Sequence, residues 1–172
     1  SLKHGEFLKD NGHVSTENID YFYHSDTLKE PFATDIFTLV RNGDESFRQR
    51  FGYKGFRYVE ASIDRPAVLD ENNLTAYFVH SDIPTKGHIH TSSEIINKLW
   101  KASCYSYLSN LVGYPTDCPQ REKNGWTGDT NAAMDLGFYN YDPITVYEKW
   151  MDDHKDAQLP NGVYPNIIPS PG

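Results

Sequence analysis

The sequence predicts an α+β fold, an antiparallel β-sandwich portion followed by helices, on three observations. From about residue 30 to 90 short apolar runs alternate with turn residues; at Thr91 the apolar period lengthens from two towards 3.6; and strands and helices follow one another without interleaving. The boundary drawn on this change puts an antiparallel β region at 1–90 and a helical region at 91–172. A chain of 172 residues is long enough for a core in one domain or two small units.

The elements follow in order. Residues 1–29 show no pattern that assigns them. "FATDIFTLV" and "SFRQRFGY" read as strands flanking "RNGDE", whose Asn42-Gly43 is a hairpin signal. "GFRYVEASI" sets Phe56, Tyr58 and Ala61 against Arg57, Val59 and Glu60, an apolar face opposite a mixed one. After the loop marked by Pro66 and "DENN", "LTAYFVHSD" is a further strand and "KGHIHTS" a short last one. "TSSE" then offers a capping box, Thr91 as N-cap with Glu94 three residues on. Ile95, Leu99, Ala102, Tyr105 or Ser106, and Leu108 recur at helical spacing, and Gly113 is a natural stop, which predicts a helix over 93–112. "TNAAMDLGFYN" reads as a short helix. Asp142-Pro143 starts another to about Gln158, with Ile144, Tyr147 and Met151 on one side, before a Pro/Gly tail.

Composition narrows the function. A net charge of −8 without a basic stripe argues against a nucleic-acid partner, since phosphate binding needs clustered Lys and Arg. No apolar run approaches membrane length and the opening residues show no signal-peptide pattern, so no membrane partner is expected. Two cysteines, Cys104 and Cys118, are too few for a disulfide framework and lack metal-ligand spacing. Aromatics at 14% suit sheet faces and also carbohydrate sites, where rings pack on sugar C–H faces.

The informative stretch is "YPTDCPQREKNGWTGDTNAAMD", residues 114–135. It is too polar for a core and too irregular for one helix, and Pro115, Pro119, Gly125 and Gly128 bend it. Read blandly, it is a surface loop with solvated charges and a Trp anchor. Three features oppose that reading. Asp117, Glu122 and Asp129 lie together with Arg121 among them, so carboxyl groups can be held in different protonation states. Trp126 beside carboxylates is a common sugar-site composition. Glycosidic hydrolysis needs one carboxyl as proton donor and another as base or nucleophile.

"PTDCPQREKNGWTGD" resembles the signature of the α-L-rhamnosidases of glycoside hydrolase family 78. The resemblance extends to "FGYKGFRYVE" upstream and "YEKWMDDHKDAQLPNGVYPNIIP" downstream, roughly residues 30 to 172. It implies β-sandwich domains leading into an (α/α)6 barrel, of which the helical half would be the start, and inverting hydrolysis of terminal α-L-rhamnose from a rhamnose-containing glycoside or oligosaccharide. Carried over, Glu122 matches the general acid, Asp117 and Asp129 match carboxylates that hold rhamnose hydroxyls, Arg121 matches a positioning arginine, and Trp126 matches an aromatic wall. No cofactor and no metal is implied. An inverting site needs a second carboxylate roughly 6.5–9.5 Å from the acid, and nothing after the motif matches it, Asp152, Asp153 and Asp156 included. "SLKHGEF" and "IIPSPG" read as ends cut from a longer chain. The expectation is therefore a piece of a larger enzyme, inactive alone, whose uncovered helix faces invite self-association. The alternative is a non-catalytic fragment that binds rhamnose or another carbohydrate, or a structural piece.

Other candidates read more simply. His88 and His90 alternate with His80 nearby but lack a third ligand at metal spacing, so they are expected as exposed strand histidines. Cys118 has no His within the motif to make it a nucleophile. Asp129, Asn131 and Asp135 lack the glycine and terminal Glu of a calcium loop. Trp100, Tyr105, Tyr107 and Trp150 sit at helical spacing and are expected in the core.

Overall fold

In the computed structural model, which describes residues 1–21, 32–40, 43–64 and 66–169, the first strand takes the middle of the sheet. Strand β1 (Leu2–Gly5) lies between β4 (Thr34–Asp35) and β5 (Tyr58–Ala61), antiparallel to both. The register pairs Leu2 with Asp35 on one side and Leu2 with Ala61, Gly5 with Tyr58, on the other. β2 (Phe7–Leu8) and β3 (Val14–Ser15) form a hairpin closed by Gly12, whose φ of 83° supplies the left-handed residue the turn requires. The four-residue helix α1 (Glu17–Asp20) follows and buries Ile19. The chain divides into two compact units, Ser1–Tyr77 and Phe78–Gly172.

The architecture is α+β, antiparallel sheets followed by helices, as the sequence predicts. Several strand assignments are corrected. Of "FATDIFTLV" only Thr34–Asp35 pairs, and "SFRQRFGY", "LTAYFVHSD" and "KGHIHTS" form no ladder among the described residues. Val40, Phe51 and Tyr77 are largely exposed in these runs, and a period-2 pattern with no neighbouring strand makes no sheet. Asn42 of the expected Asn42-Gly43 turn lies outside the described residues, as do residues 170–172 of the tail.

One carboxylate fastens the β2–β3 hairpin to the sheet. Glu60 on β5 accepts the Val14 N–H at Oε2 (2.8 Å) and meets His13 Nδ1 at Oε1 (3.0 Å), with Lys3 Nζ 3.9 Å away. The Val14 amide, the His13 ring and Lys3 together hold the Glu60 carboxyl below its usual range.

The second unit holds helices α2 (Glu94–Ser109), α3 (Thr127–Asn140) and α4 (Ile144–Ala157). The expected capping box at Thr91 is replaced by a different device. The helix begins at Glu94, after Ser93, and Asn97 grips Thr91 from both sides: its Oδ1 accepts the Thr91 N–H (2.9 Å) and its Nδ2–H donates to the Thr91 carbonyl (2.9 Å). The helix stops at Ser109, earlier than Gly113, and α3 starts three residues before Thr130 because Trp126 is already in the flanking position.

The core of this unit is Ile83, Cys104, Tyr107, Leu111 and Tyr141, with Trp100, Leu108, Leu136 and Val146 packed on it. Tyr107 and Trp150 are buried as expected, and Trp100 is partly so, while Tyr105 is half exposed. Each fully buried aliphatic here contributes about 1.5–3 kcal/mol. The stripe Ile95, Leu99, Ala102 does not make this core: Ile95 is 69% and Leu99 63% exposed. The helix is apolar on two sides, and the side bearing Cys104 and Tyr107 is the one that packs on α3. Contact there is close. A Cβ on Gly137 would sit 2.3 Å from the Tyr107 hydroxyl, so only glycine lets the ring lie against α3. That hydroxyl pairs with the Tyr147 hydroxyl at 3.1 Å, and burial, then the neighbouring hydroxyl, pushes the Tyr107 ionisation far up, so the pair stays neutral.

The Glu60 contact carries a pH signature. A carboxyl with a depressed folded pKa stabilises the native state above its ordinary value of 4.5, and that stabilisation is lost as pH falls through the folded value. Glu60→Gln should therefore lower the melting temperature at neutral pH, and the gap to the parent chain should close in acid. A gap that is constant with pH would mean that the carboxylate charge is not what holds the hairpin.

Candidate active site

Residues 110–126 connect α2 to α3 without regular structure, so their polar backbone groups need side-chain or strap partners. Asp117 and Asn124 supply one reciprocal pair of them. The Asp117 N–H donates to the Asn124 carbonyl (3.0 Å), the Asn124 N–H returns to Asp117 Oδ1 (2.9 Å), and the Cys118 thiol lies 2.9 Å from Oδ2. This reciprocal clamp closes the turn that contains Arg121 and Glu122. Lys123 inside it has a φ of 53°, a left-handed conformation that costs a side-chain-bearing residue about 1 kcal/mol or more. The Tyr114 hydroxyl donates to the Lys123 carbonyl at 3.0 Å and pins that residue.

Glu122 is half-buried and points to the far end of the turn. Its Oε2 accepts the indole N–H of Trp126 at 2.9 Å, which fixes the direction of the carboxyl group. Trp126 is in turn fixed by its own backbone. It forms an antiparallel bridge with Ile167, its carbonyl accepts the Thr130 N–H (3.2 Å), and α3 starts directly after it.

A strap, residues 166–168, runs alongside the exit of the loop. Ile168 N–H donates to the Gly125 carbonyl (2.8 Å), Thr127 N–H to the Asn166 carbonyl (3.0 Å), and the buried Trp150 indole N–H to the Ile168 carbonyl (2.8 Å). A Cβ on Gly125 would lie 1.9 Å from the Ile168 oxygen, so the approach requires glycine.

Asp129 sits in the first turn of α3, exposed, where the helix dipole favours a carboxylate. Asp117 and Asp129 line one cleft of about 360 Å³ between α2 and α3, whose wall also holds Ser106, Asn110 and Tyr147. Arg121, Glu122 and Trp126 do not line that cleft; Glu122 reaches Asp117 through Cys118, whose sulfur accepts the Glu122 N–H at 3.3 Å. Sequence reasoning missed Cys118, Asn124, Tyr114 and the strap. Only Gly125, a glycine in a tight turn, carried a signal for any of them. His88 and His90 are exposed and belong to no strand, and no group of three metal-binding side chains occurs among the described residues.

Comparison with known proteins fits both units. Residues 84–172 match the model of the bacterial α-L-rhamnosidase 6 hairpin glycosidase domain, and residues 1–80 that of the bacterial α-L-rhamnosidase concanavalin-like domain. The chain belongs to the bacterial α-L-rhamnosidases. The match reaches residue 1 and so includes the segment that the sequence patterns left unassigned.

An α-L-rhamnosidase of Streptomyces avermitilis is 31% identical over 172 residues, 99% of this chain and 16% of its own length. The structure of an α-L-rhamnosidase from Dictyoglumus thermophilum superposes with a TM-score of 0.86 at 33% identity, covering 98% of this chain and 18% of that one. The crystal structure of the Streptomyces avermitilis α-L-rhamnosidase complexed with L-rhamnose gives 0.85 at 31% identity, over 99% of this chain and 16% of that one. The chain thus spans about a sixth of the length of these rhamnosidases.

The strap contact predicts opposite outcomes at two glycines of this rhamnosidase motif. Gly125→Ala should destabilise the second unit by ~1–3 kcal/mol, since two backbones must part. Gly128→Ala, in open space within the first turn of α3, should be neutral or stabilising by ~0.5–1 kcal/mol. Denaturant titration of the two variants checks the pair; equal effects would mean that the strap does not constrain the loop.

Proposed function

We propose that residues 114–129 form the acid half of an inverting α-L-rhamnosidase site, with Glu122 as general acid. The observation that carries this reading is the Trp126 indole N–H on Glu122 Oε2 at 2.9 Å, which fixes the direction of the carboxyl group. In the reaction the Glu122 carboxyl protonates the glycosidic oxygen as its bond to the anomeric carbon breaks. Water attacks the opposite face and loses its proton to a second carboxylate, and the rhamnose is released with inverted configuration. Membership in the rhamnosidase family supports the reaction class, and the relative crystallised with L-rhamnose supports the sugar.

Asp129 and Asp117 receive the sugar hydroxyls in this reading, Arg121 orients the sugar and the carboxylates, and Trp126 forms a wall. The two aspartates are not equivalent. Asp117 lines the cleft but is already engaged at both oxygens by Asn124 and Cys118, so much of its work is internal. The base that activates water is not among the residues of the motif, and in this reading the 172-residue chain by itself does not turn rhamnosides over. The exposed Ile95 and Leu99 of α2 make self-association of the isolated chain part of the same reading.

Glu122→Gln in the complete enzyme should abolish turnover of rhamnosides with poor leaving groups, a loss of ~10²–10⁴-fold, because an amide has no proton to give. Aryl rhamnosides with good leaving groups should suffer much less. Equal losses on both substrates, measured by steady-state kinetics, would remove Glu122 from the acid role.

Asp129→Asn should weaken rhamnose binding by ~1.5–3 kcal/mol with little change in melting temperature, since the side chain is exposed. Asp117→Asn should lower both affinity and melting temperature. Titration calorimetry with L-rhamnose and thermal melting together decide this: unchanged affinity in the Asp129 variant would return it to a helix-terminal charge.

A further inference from the structure

We infer that Cys118 is a positioning residue for the acid: its sulfur fastens the turn that carries Glu122 to the carboxylate of Asp117. The inference rests on the reading of Glu122 as general acid and goes beyond it, to what holds that acid in place.

Cys118 is buried, 8% exposed, and its sulfur bonds in two directions. The thiol donates to Asp117 Oδ2 at 2.9 Å, a charge-assisted bond to an acceptor whose other oxygen already holds the Asn124 N–H at 2.9 Å. That carboxylate is clamped at both oxygens, so the sulfur is clamped as well. On its other side the sulfur accepts the backbone N–H of Glu122 at 3.3 Å. Glu122 is therefore gripped twice, by Cys118 at its main chain and by the Trp126 indole at its carboxyl. The two grips have separate foundations. Trp126 is held by the strap and by α3, and Cys118 by Asp117 and Asn124. Losing the sulfur leaves the indole contact but frees the main chain beneath it, so the carboxyl keeps a partner and loses its fixed distance from the cleft. A thiol is a weak donor and acceptor, yet here one atom serves both bonds within a half-buried turn, where an orphaned amide is costly. The thiol proton is committed to Asp117, which fits a positioning role and not a nucleophile.

The test uses the complete enzyme with Cys118→Ala, Cys118→Ser, Glu122→Gln and the double variant Cys118→Ala/Glu122→Gln. Each is assayed on an alkyl rhamnoside and on a nitrophenyl rhamnoside. Cys118→Ala should lower kcat roughly 10–100-fold on the alkyl substrate, the scale of a slightly misplaced catalytic group, and within about threefold on the nitrophenyl one, with KM little changed. Cys118→Ser should recover much of the loss, because a hydroxyl donates and accepts the same two bonds. The double variant should be no slower than Glu122→Gln alone. Equal loss on both substrates, a change confined to KM, additive losses in the double variant or no loss at all would overturn the inference. If Cys118→Ala fails to fold, Cys118→Ser carries the test through a smaller loss confined to the alkyl substrate, and a loss on both would overturn it. A Glu122→Gln variant that slows both substrates alike would instead defeat the acid assignment, and the role of Cys118 with it.

Discussion

The turn that carries Arg121 and Glu122 between α2 and α3 is closed by the carboxylate of Asp117. Helices and strands satisfy their own backbone, but residues 110–126 cannot, and a half-buried turn with unpaired amides would not persist. Asp117 meets this demand at the neck of the turn, accepting the Asn124 amide and the Cys118 thiol while its own amide closes on the Asn124 carbonyl. Ser81, Tyr114, Cys118 and Ile168 meet it elsewhere. The left-handed Lys123, which is unfavourable for a lysine alone, is tolerated because it lies inside this closed ring of bonds. Substituting the carboxylate is thus a change to the whole turn as much as to one side chain.

The three acids of the motif stand in three different surroundings. Asp117 is used inside the turn, Glu122 is held by an indole N–H, and Asp129 is exposed at a helix start. Identical groups in unlike environments are the starting condition for dividing acid and binding roles among carboxyls. The cleft that Asp117 and Asp129 share is backed by packed helices: Gly137 lets Tyr107 press against α3, and the neutral Tyr107–Tyr147 hydroxyl pair links α2 to α4 without placing a charge in the core. A site on a loop gains precision from such a base, which the loop could not supply itself.

The helical half was largely legible because its signals are local. Asp142-Pro143 does mark the start of α4, and the period from Ile95 to Leu108 does mark α2, though a helix apolar on two sides cannot announce which side meets α3. The β half was less legible. Alternation at 36–40 and 46–53 identifies what a strand would look like but not whether a neighbour pairs with it, and the central strand came from Leu2–Gly5, too short to show a period. In the motif, residue types and spacing pointed to the three acids and Trp126. The sulfur bridge and the strap were invisible, since one relies on a cysteine that looked inert and the other on residues some forty positions downstream.

That last separation orders events in time. During synthesis the loop emerges well before Ile168 does, and until the strap arrives the Gly125 carbonyl and the Trp150 indole face water instead of it. The helices can form and pack from nearby contacts, but the exit of the loop waits on a long-range closure whose entropic penalty is met only after α4 is in place. The motif is therefore among the last parts of this unit to take its shape and, by reversal, among the first to open when the unit is stressed.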